Sequence, residues 1–177
     1  MKPDQITKNI FLTVIFILSI ISCNTNREAK RVDLKPAVKD MTELNRYLVQ
    51  KDREIIENYI ERKNLSMTES PTGLWYHIKN KGNGDFLADY YKIAMNYECA
   101  LLDGTQCYSS DSLGPKEIVL GKTKLEPGLD EGLRLLKQGA EALFILPPFL
   151  AYGLIGDGNK IPPRATIIYS VKILPPE

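Results

Sequence analysis

The chain has 177 residues, with 23 Lys and Arg against 22 Asp and Glu, one His and three Cys. A net charge of +1 provides no basic field for a nucleic acid, so no nucleic-acid partner is expected. The sole histidine, His77, with no cluster of Cys or carboxylates near it in sequence, leaves too few residues for a zinc site or a Ser-His-Asp triad, so no metal and no cofactor are expected.

In chain order, Lys2 and Lys8 lie in a short polar start, and Ile10 to Ile21 is nearly all apolar, broken by Thr13 and Ser19. That pattern reads as a signal-peptide core, shorter than the roughly 20 apolar residues of a membrane-spanning helix. It stops at Ile20-Ile21-Ser22-Cys23, which resembles a bacterial lipobox. The resemblance implies cleavage after residue 22 and lipidation of Cys23, whose acyl chains would hold the protein at a membrane. An ordinary secretory signal with an incidental cysteine is the alternative. Residues 1–22 are thus expected to be a lipoprotein signal and the polar residues 23–40 a tether. Asn24-Thr25-Asn26-Arg27 carries no acidic cluster, so the expected location is the cell envelope, lipid-anchored in the outer membrane and facing the periplasm.

Residues 41–72 are expected to form a helix and linker. Leu44, Tyr47, Leu48, Ile55, Tyr59 and Ile60 recur at three- and four-residue steps, with Arg46, Lys51, Arg53, Glu54, Glu57, Glu61 and Arg62 mostly between them. This predicts a long amphipathic helix over 41–65, with Asp40 as its cap and Glu43 three residues on. Its apolar stripe packs on the following domain or forms the seam of a homodimer. Ser66 to Gly73, with its Ser-Pro and Gly, reads as a linker.

From Leu74 the period changes to two. Leu74, Tyr76 and Ile78 alternate with Trp75, His77 and Lys79, and Gly82-Asn83-Gly84-Asp85 closes that strand. Ile93, Met95, Tyr97, Cys99 and Leu101 alternate with polar or small residues, which places Tyr97 on an inner face. Leu102-Asp103-Gly104-Thr105 is a hairpin signal that sets Cys99 opposite Tyr108 and turns Cys107 to the other face, so a Cys99–Cys107 bridge requires a bulge. Ser109-Ser110 reads as a turn or strand end rather than a nucleophile. Lys116 to Leu120 is a further short strand. Pro127 suits a first helical turn, and Leu129, Leu133 and Leu136 share a face up to Gly139, a C-cap candidate. Ala142 to Leu146 and Ala165 to Leu174 complete the strands. The expected class is α+β, a curled antiparallel sheet around one short helix, preceded by the long N-terminal amphipathic helix.

The stretches Val119-Leu120-Gly121-Lys122, Pro127 to Leu133, Leu136-Lys137-Gln138-Gly139-Ala140, Leu146 to Gly153 and Ile161-Pro162-Pro163-Arg164-Ala165-Thr166 follow one another through the domain expected over 73–177. In order and spacing they resemble the successive motifs of the FKBP-type peptidyl-prolyl cis-trans isomerases. With the lipobox and helix, the chain is similar to a lipid-anchored bacterial branch that includes isomerase-like lipoproteins associated with gliding motility. The resemblance implies rotation of X-Pro bonds in proline-containing polypeptide clients within an apolar pocket, assisting the folding of cell-envelope proteins. A non-catalytic binding or chaperone module on the same fold is the alternative.

Carried over by motif position, the resemblance assigns Tyr97 to the pocket wall, Tyr152 as hydroxyl donor to a substrate carbonyl, Ile161 as a lid over the proline, and Tyr169 where the family often has Phe. Leu125 fills an aliphatic position whose backbone N–H commonly binds ligand. The departures are Cys107-Tyr108 where the family has Phe-Asp, Glu126 where it has Ile, and Leu129 where its pocket floor is Trp. The resemblance therefore puts Cys107 in the pocket, and a bulge near Gln106 would reconcile that with the hairpin register.

Overall fold

The computed structural model describes residues 34–175, with side chains from residue 40 onward; the expected signal peptide and Cys23 lie outside the described residues. The chain divides into two units, Met1–Met41 and Thr42–Glu177. Of the first, only the beginning of helix α1 (Leu34–Lys63) is described. Because α1 starts ahead of Met41, Asp40 lies within it and does not cap it, and residues 34–40 of the expected tether are helical. Its end is set by Asn64 in the left-handed conformation (φ 50), with Asn64 N–H donating to Glu61 O and Leu65 N–H to Ile60 O, the paired bonds of a Schellman motif.

Within the second unit, α1 packs through Ile56 and Asp52, flanked by half-buried Leu48, Tyr59 and Ile60. Leu44, Tyr47 and Ile55, which belong to the predicted stripe, are exposed. Periodicity locates an apolar stripe on a helix, whereas which part of it is covered depends on what other elements reach. The expected linker also carries structure: β1 (Thr68–Glu69) turns back at Ser70 and pairs antiparallel with β2 (Trp75–Asn80).

The remaining elements are β3 (Asn83–Phe86), β4 (Lys92–Leu101), β5 (Gln106–Ser109), a one-turn helix α2 (Ser110–Leu113), β6 (Lys116–Val119), α3 (Pro127–Arg134), β7 (Lys137–Gln138), β8 (Glu141–Leu146), a 3-10 turn (Pro148–Leu150) and β9 (Ile167–Ile173). The main sheet is antiparallel in the order β1-β2-β8-β9-β4-β5, with β6 sharing one edge of β4 with β5. The long strand β4 thus pairs with β9 along one side and splits its other side between β6 and β5, so its middle, at Tyr97, is the point around which the domain is organised.

Two expectations around α3 are corrected. The helix stops at Arg134, and Lys137-Gln138 leaves it to pair with β3; Gly139 (φ 74) forms the turn into β8 and does not cap the helix. For the same reason Gly82 to Asp85, read as a strand-closing turn, runs into strand β3. Lys137 and Gln138 gain ladder hydrogen bonds by this exit, which a one-dimensional helical pattern does not reveal.

Leu129, Leu133 and Leu136 are fully buried against the sheet. The approach is close enough to require glycine: a Cβ at Gly132 would meet the Phe144 ring at 2.8 Å, and one at Gly128 would meet Leu146 Cγ at 2.8 Å. The core so formed joins Met95, Cys99, Phe144, Leu146, Ile161 and Tyr169. It reaches the site residues directly.

Candidate functional site

The β4–β5 hairpin contains the bulge that its two readings required. Cys99 pairs with Tyr108 and Ala100 with Gln106, which leaves Cys107 as the extra residue. Cys107 is buried, with its thiol 3.6 Å from Lys160 O, while the Tyr108 hydroxyl donates to Asp157 Oδ2. Both bulge residues therefore hold the loop 154–160. Cys99 and Cys107 are free thiols.

That loop is further clasped from inside by Asp157. Its Oδ1 accepts the backbone N–H of Asn159 and of Ile161, each at 2.8 Å, and its own N–H donates to Ile161 O at 3.1 Å. Gly156 (φ 72) lets the backbone pass, since a Cβ there would lie 2.2 Å from Ile161 O. Burial alone would push the Asp157 carboxyl up, but hydrogen bonds from Tyr108, Asn159 and Ile161 outweigh it and hold the group below the usual carboxylate range. Asp157 was not among the residues singled out from sequence. Its signal is an Asp-Gly-Asn turn in which the Asp side chain bonds the backbone two residues on.

Ile161, delivered by this clasp, is 2% exposed. Tyr152 follows the 3-10 turn at Pro148–Leu150, whose end is fixed by Gly153 N–H donating to Pro148 O. Tyr169 sits on β9 between Cys99 of β4 and Phe144 of β8 and is 2% exposed. The ring of Tyr97 lies 6.3 Å from that of Tyr169 at 45°. Ser110 pins Tyr97 from behind: the Tyr97 N–H donates to its hydroxyl oxygen at 3.1 Å, and the hydroxyl lies 3.3 Å from Tyr97 O. This gives the Ser109-Ser110 pair a positioning part, in keeping with its reading as a strand end.

The centre of the site is Glu126. It immediately precedes α3, where its extended backbone (φ −62, ψ 135) lets its carbonyl accept from Leu129 and Asp130 N–H while the side chain turns inward. Glu126 is only 8% exposed. Its Oε1 accepts the hydroxyls of both Tyr152 and Tyr169, the latter at 3.0 Å, and its Oε2 has no hydrogen-bond partner among the described residues. Burial first, and then the adjacent carboxylate, raise both tyrosine hydroxyls far above the ordinary phenol range, so both remain protonated donors. Burial also pushes the Cys99 thiol up to about 12, beside the Tyr169 hydroxyl.

The predicted residues are therefore brought together, with one correction. Tyr97, Tyr152, Ile161 and Tyr169 belong to one apolar cluster with Leu129, which is fully buried, and half-buried Leu125. Tyr152, however, does not hold its hydroxyl ready for an incoming carbonyl: that hydroxyl is taken by Glu126. A buried carboxylate attracts any O–H within reach, and a resemblance based on motif order does not show where a substituted side chain turns. His77, on β2 opposite Leu143, has no part in this arrangement.

The family profile of the FKBP-type peptidyl-prolyl cis-trans isomerases matches residues 85–174. Among curated proteins, the chain is 38% identical over 103 residues to the probable FKBP-type peptidyl-prolyl cis-trans isomerase FkpA of Neisseria meningitidis serogroup B, a match covering 58% of this chain and 38% of that protein. It is 32% identical over 124 residues to FkpA of Escherichia coli K12, covering 70% and 44% respectively. The chain thus spans less than half the length of these two relatives. The crystal structure of FkpA from Escherichia coli superposes with a TM-score of 0.62 at 26% identity, covering 98% of this chain and 72% of that one. The N-terminal domain of FKBP42 from Arabidopsis thaliana gives 0.57 at 26% identity, covering 62% and 91%.

Proposed function

The chain belongs to the FKBP-type peptidyl-prolyl cis-trans isomerase family, and from that premise we propose that it rotates X-Pro bonds in polypeptides folding in the cell envelope. The observation that carries this reading is that Tyr97, Tyr152, Ile161 and Tyr169 share one apolar cluster with Leu129, with the Tyr97 ring beside that of Tyr169 and the Tyr152 and Tyr169 hydroxyls meeting at one atom. Rotation about a peptide bond faces a barrier of about 18 to 20 kcal/mol, and X-Pro bonds are the ones that populate cis appreciably. No bond need break, so a pocket that binds the twisted amide better than either planar form is sufficient. Leu129 in the floor and the rings of Tyr97 and Tyr169 supply the apolar surround; Ile161 closes over the proline; Tyr152 donates to the carbonyl before it once Glu126 gives way. X-Pro exchange in a short peptide, followed by NMR, tests this. Acceleration at micromolar protein is expected, and its absence overturns the reading.

A second reading, a non-catalytic client-binding module on the same fold, is favoured by one observation: Glu126 holds the Tyr152 hydroxyl. Refolding of a client with Tyr152→Phe and Ile161→Ala separates the two, because only a binding module keeps assisting after isomerisation has gone.

The lipobox-like Ile20-Ile21-Ser22-Cys23 supports anchorage through Cys23 at the outer membrane, facing the periplasm, and a place in the lipid-anchored branch of the family. Cys23→Ser should then release the protein from the membrane fraction, and protease added to intact cells should leave the wild type untouched. The exposed Leu44 and Tyr47 on α1 support a homodimer through residues 41–65. Light scattering with and without that helix tests it, a monomer in both cases removing the idea.

A further inference from the structure

Glu126 is a charged residue at the centre of an apolar site, and its two oxygens are treated unequally. Oε1 receives two tyrosine hydroxyls, whereas Oε2 is buried with no hydrogen-bond partner among the described residues. No described cation lies within ion-pair distance of it either: Lys116 and Lys160 sit over the rings of Tyr97 and Tyr108, at 6.0 and 5.3 Å from their centroids. A buried acceptor left unmatched is unfavourable, and more so when it carries charge. In the same place a client that offers only the carbonyl before its proline meets a Tyr152 hydroxyl already engaged by a charge-assisted bond, which is stronger than the neutral bond it would put there.

Resting on the isomerase-pocket reading, we propose that Glu126 is a specificity-determining residue that selects proline segments carrying a lysine or arginine next to the proline and discriminates against those with apolar or acidic neighbours. The cationic side chain supplies the donor that Oε2 lacks, so the carboxylate turns to it and frees the Tyr152 hydroxyl for the client carbonyl. An apolar neighbour supplies no donor and must break the Glu126–Tyr152 bond uncompensated. An acidic neighbour adds like-charge repulsion in a site of low polarity.

The test uses blocked tetrapeptides Ala-Lys-Pro-Ala, Ala-Pro-Lys-Ala, Ala-Leu-Pro-Ala and Ala-Glu-Pro-Ala, with binding measured by calorimetry and exchange measured separately by NMR. The wild type should bind at least one lysine peptide about tenfold or more tighter than the leucine peptide, the range that a hydrogen bond to a charged group spans, with the glutamate peptide weakest. Glu126→Ile should remove this preference and strengthen leucine-peptide binding. Glu126→Gln, which keeps an acceptor for the two tyrosines if the isoleucine variant does not fold, should bring the lysine-to-leucine ratio close to one. Equal binding of the lysine and leucine peptides by the wild type, an unchanged ratio in both variants, or no binding of any peptide overturns the proposal. A lysine preference that vanishes in the variants, with no acceleration of exchange in any protein, upholds it while removing isomerase activity.

Discussion

Arg164 Nη2 lies 2.7 Å from Asp52 Oδ1, joining the residue that follows the Pro162-Pro163 corner to the middle of the long helix 112 positions earlier. Arg164 reaches it from a left-handed backbone (φ 58), steadied by its N–H donating to Gly153 O at 2.9 Å. The loop that carries Tyr152 and Ile161 is thus tied to α1 at Arg164, as it is tied to β5 at Asp157 and Lys160.

This pair should respond unequally to removal of its two members. Asp52 is 6% exposed, and burial raises its carboxyl above the ordinary value despite the opposing pull of Arg164. A carboxyl whose pKa is raised by folding stabilises most below its unfolded pKa, and that contribution is lost as pH rises through the folded value. At pH 7, Arg164→Met should therefore cost about 1–3 kcal/mol, below the range for a fully buried pair because Arg164 is partly exposed. Asp52→Asn should cost less than Arg164→Met. Urea unfolding of both variants at pH 7 checks the order, and the reverse order contradicts it.

Tyr108→Phe should loosen the loop rather than the core. It removes the donor to Asp157 Oδ2 and leaves Oδ1 with its two backbone partners, so a loss of about 0.5–1.5 kcal/mol is expected at pH 7. Because Asp157 is held below the usual range, its contribution is present above the unfolded pKa of about 3.9 and disappears as pH falls through the lower folded value. The stability gap between variant and wild type should accordingly close on acidification. A gap that stays constant between pH 7 and pH 2 speaks against the clasp.

Gly132→Ala sets two effects against each other. Helix propensity favours alanine by about 1 kcal/mol, but the new Cβ would sit 2.8 Å from the buried Phe144 ring. Overpacking in a close-packed core costs about 1–3 kcal/mol, so a net destabilisation is expected. A thermal midpoint equal to or above that of wild type would show that Phe144 yields more readily than its full burial suggests.

The two thiols near the site should be silent. Cys99 is fully buried with its pKa pushed up to about 12, and burial raises Cys107 as well. The reactive thiolate is thus scarce at pH 8. Mass spectrometry after iodoacetamide treatment should find both unmodified in the folded protein and both alkylated in denaturant. Rapid labelling of Cys107 in native conditions indicates that the 154–160 loop opens.

Much of this fold was legible in one dimension, because strand alternation and hairpin turns are local signals. The run from Ile93 to Leu101, the Asp103-Gly104 turn and the leucines of α3 all appear where pattern places them. Tyr97, Tyr152, Ile161 and Tyr169, named from motif order, belong to one apolar cluster: two are borne on the adjacent strands β4 and β9 and two on the chain between β8 and β9. The bulge at Cys107 was legible only as a conflict between register and resemblance; pairing across the strands resolved it.

What sequence determined by itself was the set of side chains available: Tyr97, Tyr152 and Tyr169, a glycine-containing loop, and a glutamate where the resemblance expects an aliphatic residue. Where that glutamate points was a tertiary decision. The inward turn at the start of α3 and the two hydroxyls arriving from distant parts of the chain place its carboxylate against Tyr152. The covered part of α1, the clasp at Asp157 and the Asp52–Arg164 pair were decided in the same way, because buried polar groups take the partners that packing brings within reach, and sequence separation places no limit on that.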